Sequence, residues 1–276
     1  MRASAFLVIL RPHNMLASAL AVVAGAAIAG GIQTPALGTT ALLAALVTGA
    51  GNILNDYFDL RVDRINKPRR PLPSGRITPS AALAWYGAIT LLATAGAAWL
   101  VPRDVGLLVM GWQAALALYA VWCKRWLIAG NLLVAAISSS AFLAGAMLAR
   151  DPRAAIIPAA IAFAFVLCRE IVKGAEDVEG DRSGGVHTLA VVLGARRAGV
   201  VAAALMLVLA ALIPLPALAA GYRAGYLVTM ELLVVPVLLA SALRVAGSES
   251  RRDYTTTTRS LKLGMFVGIA AIALGA

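Results

Sequence analysis

The chain has 276 residues, of which 61% are hydrophobic and 13% charged, with a mean hydropathy of +0.85 and a formal net charge of +11. A soluble domain of this length carries about 25% charged residues, so roughly half of the expected charge is missing and the apolar excess must be buried in lipid or in protein. A disordered chain, a disulfide-stapled secreted domain and a collagen-like fibre are excluded on the same grounds, and a water-soluble enzyme nearly so.

A spanning helix needs about 20 apolar residues, and about nine such stretches lie along the chain. They fall near 13–33, 36–60, 80–101, 105–122, 127–149, 154–177, 188–213, 224–245 and 260–276. All are continuous and rich in Ala, Leu, Val and Gly, without the ten-residue alternation of a spanning β-barrel. The expected fold class is therefore all-α: a polytopic membrane bundle of about nine transmembrane helices, forming a single transmembrane domain over residues 1–276. The first stretch is long and has no convincing small-residue cleavage site, so it reads as a helix and not as a signal peptide. The last stretch is short for a span.

With the N-terminus inside, all of the 24 Lys and Arg residues except Arg103, Arg150, Arg153 and Arg223 fall in inner loops or at inner helix ends. Positive charge collects on the cytoplasmic side of membrane proteins, so the expected placement is a multi-pass protein of the cell membrane, N-terminus inside. The net charge follows from this bias and from contact with anionic membrane lipids, and gives no reason to invoke nucleic acid. Cys123 and Cys168 are too few for a structural zinc site and read as small apolar fillers. His13 and His187 are likewise too few and too far apart in sequence for a His-based site.

The acidic residues concentrate in two places. At the inner end of the second stretch, Asn55, Asp59 and Asp63 recur every four residues, with Asn52 and Asp56 flanking the stripe. On one helix face these form a ladder of hard oxygen ligands suited to Mg²⁺, which usually takes one or two carboxylates plus water and phosphate oxygens. A solvated helix end with Arg61 and Arg64 pairing the acids accounts for this cluster about as well when it is taken alone. At the inner end of the sixth stretch, however, Glu170, Glu176, Asp177, Glu179 and Asp181 form a second cluster, with Lys173, Asp177 and Asp181 again spaced by four. Carboxylates at the edge of hydrocarbon are costly unless paired or metal-bound, so two clusters at one depth, with a cation between, point to a metal–diphosphate site. The segment after the first cluster, residues 66–76, holds three prolines and a glycine and so forms a stiff basic loop containing Arg69 and Arg70. Another inner loop carries Lys124 and Arg125, with Tyr119 and Asn131 nearby. No phosphate-cradling Gly-x-x-x-x-Gly-Lys-Ser/Thr loop occurs, which argues against a nucleotide-driven pump.

The run from Asn55 and Asp56 through Asp59 to Asp63, the following Asn66, Pro68, Arg70, Pro71, Leu72, Ser74 and Gly75, and the later Asp177 and Asp181, resemble the paired aspartate motifs of the UbiA superfamily of intramembrane prenyltransferases. The likeness covers essentially the whole chain. It implies a prenyl diphosphate donor, Mg²⁺ as cofactor, and metal binding by Asn52, Asn55, Asp56, Asp59, Asp63, Asp177 and Asp181. Arg69, Lys124, Arg125 and Lys173 are the expected partners of the diphosphate. Arg11, Tyr119 and Asn131 are the candidates for the acceptor. Within the superfamily, the segment from Arg169 to Asp181 is similar to archaeal digeranylgeranylglyceryl phosphate synthases, which implies geranylgeranyl transfer to a lipid-phosphate acceptor, geranylgeranylglyceryl phosphate. An aromatic acceptor such as 4-hydroxybenzoate would use the same metal site. An ion-coupled transporter, with Glu231 in the eighth stretch as its ion ligand, is the competing reading from another class. It is disfavoured because transport sites lie near the bilayer midplane, whereas these acids gather at one face.

Overall fold

The computed structural model describes residues 2–31, 35–123, 126–219 and 221–275. Helices α1 (Arg2–Leu10) and α2 (Pro12–Ile28) are bent by 48° at Arg11, whose φ of 54° is left-handed. Next come α3 (Pro35–Phe58), α4 (Leu60–Asn66), α5 (Pro79–Trp99), α6 (Arg103–Val121), the two-residue strand β1 (Trp126–Leu127) and α7 (Ala129–Leu148). A 3-10 turn leads into α8 (Ile156–Glu176), followed by α9 (Val178–Ser183), β2 (His187–Thr188), α10 (Leu189–Leu193) and α11 (Ala195–Leu212). Last are α12 (Leu215–Ala219), α13 (Ala224–Thr229), a π-helical turn at Met230–Val234, α14 (Val235–Val245) and α15 (Arg251–Leu274). Eight helical segments are each long and apolar enough to cross a membrane, and the bent α1–α2 pair makes up to nine.

Proline opens α2, α3 and α5, where its missing N–H costs no helical bond, and Thr78 caps α5 by accepting from the Ala81 N–H. The helices then pack through small residues. Gly25 on α2 and Gly145 on α7 face the partner's backbone so closely that a Cβ would sit 2.0 Å from the Phe142 carbonyl oxygen or 1.9 Å from that of Val22. Such close crossings give apolar helices van der Waals contact that lipid cannot offer. From α2 the packing runs through α7 to α8, and from α8 to α11 and α15, while α15 returns to α2 and closes a ring around a central space. On the far side of α2, α3 joins α5 and α6 to the ring.

Three sequence expectations change. The last span is not short: α15 begins at Arg251, because the polar run 251–262 stays helical and lengthens it. The stretch 188–213 is interrupted at Gly194, whose φ of 87° a residue with a side chain rarely adopts. A parallel pairing of β1 with β2 adds a minimal sheet to the all-α bundle, tying the α6–α7 connection to the α9–α10 region.

Candidate active site

The two acidic clusters lie together at one end of the bundle, and each is built the same way. Helix α3 stops at Phe58, Asp59 occupies a turn with φ −89° and ψ 3°, and α4 continues. Helix α8 stops at Glu176, Asp177 occupies a turn with φ −100° and ψ 7°, and α9 continues. Across both turns the four-residue backbone ladder survives. The Asp59 N–H bonds Asn55 O at 2.9 Å and that of Asp63 bonds Asp59 O at 2.7 Å; the N–H groups of Asp177 and Asp181 bond Lys173 O at 3.0 Å and Asp177 O at 3.1 Å. The four-residue carboxylate spacing therefore persists through a kink on each side.

Helices α4 and α9 pack against each other, and Asn66 joins them. Its Nδ2 donates to the Asp177 carbonyl at 2.8 Å, its Oδ1 accepts from the Gly180 N–H at 3.1 Å, and Arg251 donates to its carbonyl at 2.7 Å. A Cβ on Gly180 would lie 2.3 Å from the Asn66 amide, so the contact requires glycine there. Lys67, the next residue, pairs with Glu176 at 2.6 Å and with Asp177 at 2.8 Å, crossing the same seam.

Between the clusters is a polar chamber. Asn55, Asp59, Asp63, Arg70, Lys173, Asp177 and Asp181 line it, together with Tyr119, Asn131, Asn66 and Glu170. Arg70 bonds Asp63 at 2.5 Å and Asp56 at 3.1 Å, and the facing carboxylates hold its guanidinium more firmly protonated than usual despite burial. Burial pushes the Asp63 carboxyl up to about 6; the Arg70 charge opposes the rise, and the charges of Asp56 and Asp59 add to it. On the α8 side, Glu170 is buried and bonded to Arg169 at 2.7 Å and Lys173 at 3.0 Å.

Three of the expected site residues make other contacts in this structure. Asp56 does not line the chamber; it is 1% exposed and pairs with Arg11 and Arg70, so it holds cations in place instead of facing the acidic stripe. Asn52 also faces elsewhere, donating to the Leu10 carbonyl at 2.9 Å and accepting from Arg11 at 3.4 Å. Arg69 is exposed on the loop and accepts at its carbonyl from Arg76; Arg70 is the loop cation that enters the chamber. Lys124 and Arg125 lie outside the described residues. Arg70, Asn66, Lys67 and Glu170 carry no assigned role in the sequence reading, Arg70 and Asn66 entering only as motif residues and Glu170 only as a member of the second acidic cluster. The Pro-rich loop marked the first three only as a region, because a turn sends neighbouring side chains in different directions and spacing alone does not say which.

Removing Arg70 is expected to destabilise the protein strongly, since truncating one member of a buried charge network leaves its partners uncompensated, at about 3–5 kcal/mol. Arg70→Ala should lower the unfolding midpoint in detergent well below that of the parent. Arg70→Lys should recover only part, because an ammonium lacks the planar fork that reaches two carboxylates at once. An unchanged midpoint in Arg70→Ala would contradict this account.

The residues present fit a divalent cation. Asn55 Oδ1 is buried in the chamber with no hydrogen-bond partner among the described residues, beside four lining aspartates. Among the described residues no three acidic, His or Cys side chains converge tightly enough to enclose an ion by themselves. Mg²⁺ usually takes one or two carboxylates and keeps several positions for water and phosphate oxygens.

A second, larger cavity of about 1470 Å³, counting its open mouths, adjoins the chamber and shares Asn55, Tyr119, Glu170 and Lys173 with it. Away from that junction its walls are mostly apolar, including Val47, Trp112, Phe142, Phe165 and Met230, with Arg11 and Arg169 among the polar exceptions. Along α8 it extends from Lys173 to Ile161, which at 1.5 Å per residue is about 18 Å of depth.

A multi-pass bundle with an acidic chamber at one end, opening into an apolar tunnel among its spans, defines an intramembrane enzyme for lipids with a charged head and a hydrocarbon tail. The chain belongs to the UbiA prenyltransferase family, whose model matches residues 16–268. It is 38% identical over 279 residues to a digeranylgeranylglyceryl phosphate synthase of Methanoregula boonei, covering 98% of this chain and 97% of the relative. To the synthase of the same name from Methanothermobacter thermautotrophicus it is 34% identical over 271 residues, covering 98% and 95%. Among solved structures, a UbiA homolog from Archaeoglobus fulgidus bound to GPP and Mg²⁺ matches with a TM-score of 0.69 at 21% identity, over 97% of this chain and 99% of that one. At that identity the match is one of fold.

Proposed function

We propose that this chain, acting as a single transmembrane domain, transfers a geranylgeranyl group from geranylgeranyl diphosphate to the free hydroxyl of geranylgeranylglyceryl phosphate. The observation that carries the reading is the junction of the two cavities. An acidic chamber able to take a metal-bound diphosphate meets, at Asn55, Tyr119, Glu170 and Lys173, an apolar tunnel able to take the prenyl tail. The names of the relatives at 34% and 38% identity support the particular donor and acceptor.

Asn55, Asp59, Asp63, Asp177 and Asp181 would hold Mg²⁺. When bound, Mg²⁺ supplies Lewis-acid withdrawal of charge from the leaving diphosphate. Arg70 and Lys173 line the same chamber and would neutralise charge as the allylic C1–O bond breaks. Lys124 and Arg125 belong to the same proposal as further diphosphate partners. The apolar walls keep water from the electron-poor allylic carbon. The acceptor oxygen, entering beside Tyr119 and Asn131, bonds to C1; the diphosphate departs and the hydroxyl proton passes to a chamber base. The bias of positive charge supports a cytoplasmic chamber and a cytoplasmic N-terminus.

The test compares kcat/KM for geranylgeranylglyceryl phosphate and for 4-hydroxybenzoate with the same donor, because specificity is the ratio of those values. The lipid phosphate is expected to be preferred, with slow alkylation of the aromatic ring tolerated. If 4-hydroxybenzoate is favoured tenfold or more, about 1.4 kcal/mol of transition-state binding, the acceptor is aromatic.

A further inference from the structure

A second group of cations lies along the apolar cavity. Arg11, Arg169 and Lys173 line it, and Lys173 lines the acidic chamber as well. Lys262, on α15, is within electrostatic reach of these three and of Arg259, and its Nζ lies 2.7 Å from His13 Nε2 on α2. An ammonium at that distance requires the imidazole nitrogen to accept, so neutral His13 aims the Lys262 charge without cancelling it.

The negative charge nearby is already engaged. Asp56 is paired with Arg11, and Glu170 is shared between Arg169 and Lys173. Among the described residues no ion pair includes Lys262. Arg169 spends one nitrogen on Glu170 and leaves its Nε buried with no hydrogen-bond partner among the described residues. Cations at membrane depth are costly unless they meet an anion, and α2, α8 and α15 here direct theirs to a common place.

We infer that Arg11, His13, Arg169 and Lys262 form a second anion site, which takes the phosphomonoester of the acceptor lipid. The identity of the occupant rests on the transfer reaction proposed above. A phosphomonoester brings about −1.5 to −2 charge and three strong acceptor oxygens, matching a guanidinium, an ammonium and an open Nε. The donor diphosphate has its own place, because its chamber holds the carboxylates that a metal needs, whereas among the described residues no carboxylate pairs with Lys262. Glu170, bonded to Arg169 on one side and Lys173 on the other, stands between the two. Both lipids would thus present their heads at one depth, with their tails in the tunnel and among the spans.

The experiment measures binding and turnover separately. In detergent, without donor or metal, the purified protein is titrated with geranylgeranylglyceryl phosphate, with the same lipid lacking phosphate, and with inorganic phosphate. The wild type should bind the phospholipid at least tenfold tighter than its dephosphorylated counterpart, and Lys262→Gln should abolish that difference while Lys262→Arg restores it. In turnover, Lys262→Gln should raise the acceptor KM tenfold or more, with the donor KM unmoved. Equal binding of the two lipids by the wild type would overturn the site, as would displacement of the lipid by equimolar inorganic phosphate or a rise in donor KM in place of acceptor KM. Should Lys262→Gln not fold, the wild-type lipid comparison and the Arg variant still decide. Phosphate-dependent binding without product would count against the transfer reaction and leave the site standing. Product formed with no phosphate-dependent binding would do the reverse.

Discussion

Prenyl transfer is expected to stop in excess chelator and to return when Mg²⁺ is restored. The chamber concentrates Asp59, Asp63, Asp177 and Asp181 around the unpartnered Oδ1 of Asn55, while burial and neighbouring acids already work against ionisation of Asp63. Adding a diphosphate to that chamber without a divalent cation would set like charge against like in a partly desolvated space, and Arg70 and Lys173 are already engaged by Asp56, Asp63 and Glu170. The measurement is product formation from labelled donor across a titration of chelator and then of Mg²⁺. Full turnover in excess EDTA would show that the cations alone carry the leaving group.

Alanine at Asp59 or at Asp177 is expected to lower kcat/KM by about 10²-fold or more, equivalent to roughly 2.7 kcal/mol of transition-state stabilisation. These aspartates occupy matching turns, one after α3 and one after α8, and each precedes a short helix that packs on the other. Their carboxylates face charge that grows as the diphosphate leaves, so the loss should appear in kcat as well as in binding. The backbone bonds through both turns do not involve the side chains, so the variants should keep the two kinks and fold, with Asp177→Ala also losing its pair with Lys67. Near-normal activity in folded Asp59→Ala would reduce that helix end to a solvated one.

How much of this was legible beforehand depends on the kind of interaction. Hydropathy alone located the spans to within a few residues over most of the chain, because lipid demands a continuous apolar run whatever the neighbours are. It failed where polar residues remain helical, at 251–262, and where a single backbone angle breaks a run, at Gly194. The four-residue spacing of Asn55, Asp59 and Asp63, and of Lys173, Asp177 and Asp181, was visible as a pattern and survived the kinks, since the backbone ladder runs on through Asp59 and Asp177.

By itself, then, the sequence determined a membrane bundle, its charge bias and two carboxylate stripes, all of which depend on local composition and helical period. Only the tertiary structure decided which side chains share one space. It turned Asp56 and Asn52 toward Arg11, brought Arg70 into the chamber and left Arg69 outside, and joined α4 to α9 through Asn66. It also set Lys262 beside His13, residues separated by 249 positions in the chain. Such pairings depend on how helices far apart in sequence cross and rotate against each other. The small-residue contacts of α2 with α7 and the closure of α15 on α2 govern that, and a periodicity within one helix carries no record of the helix that will face it.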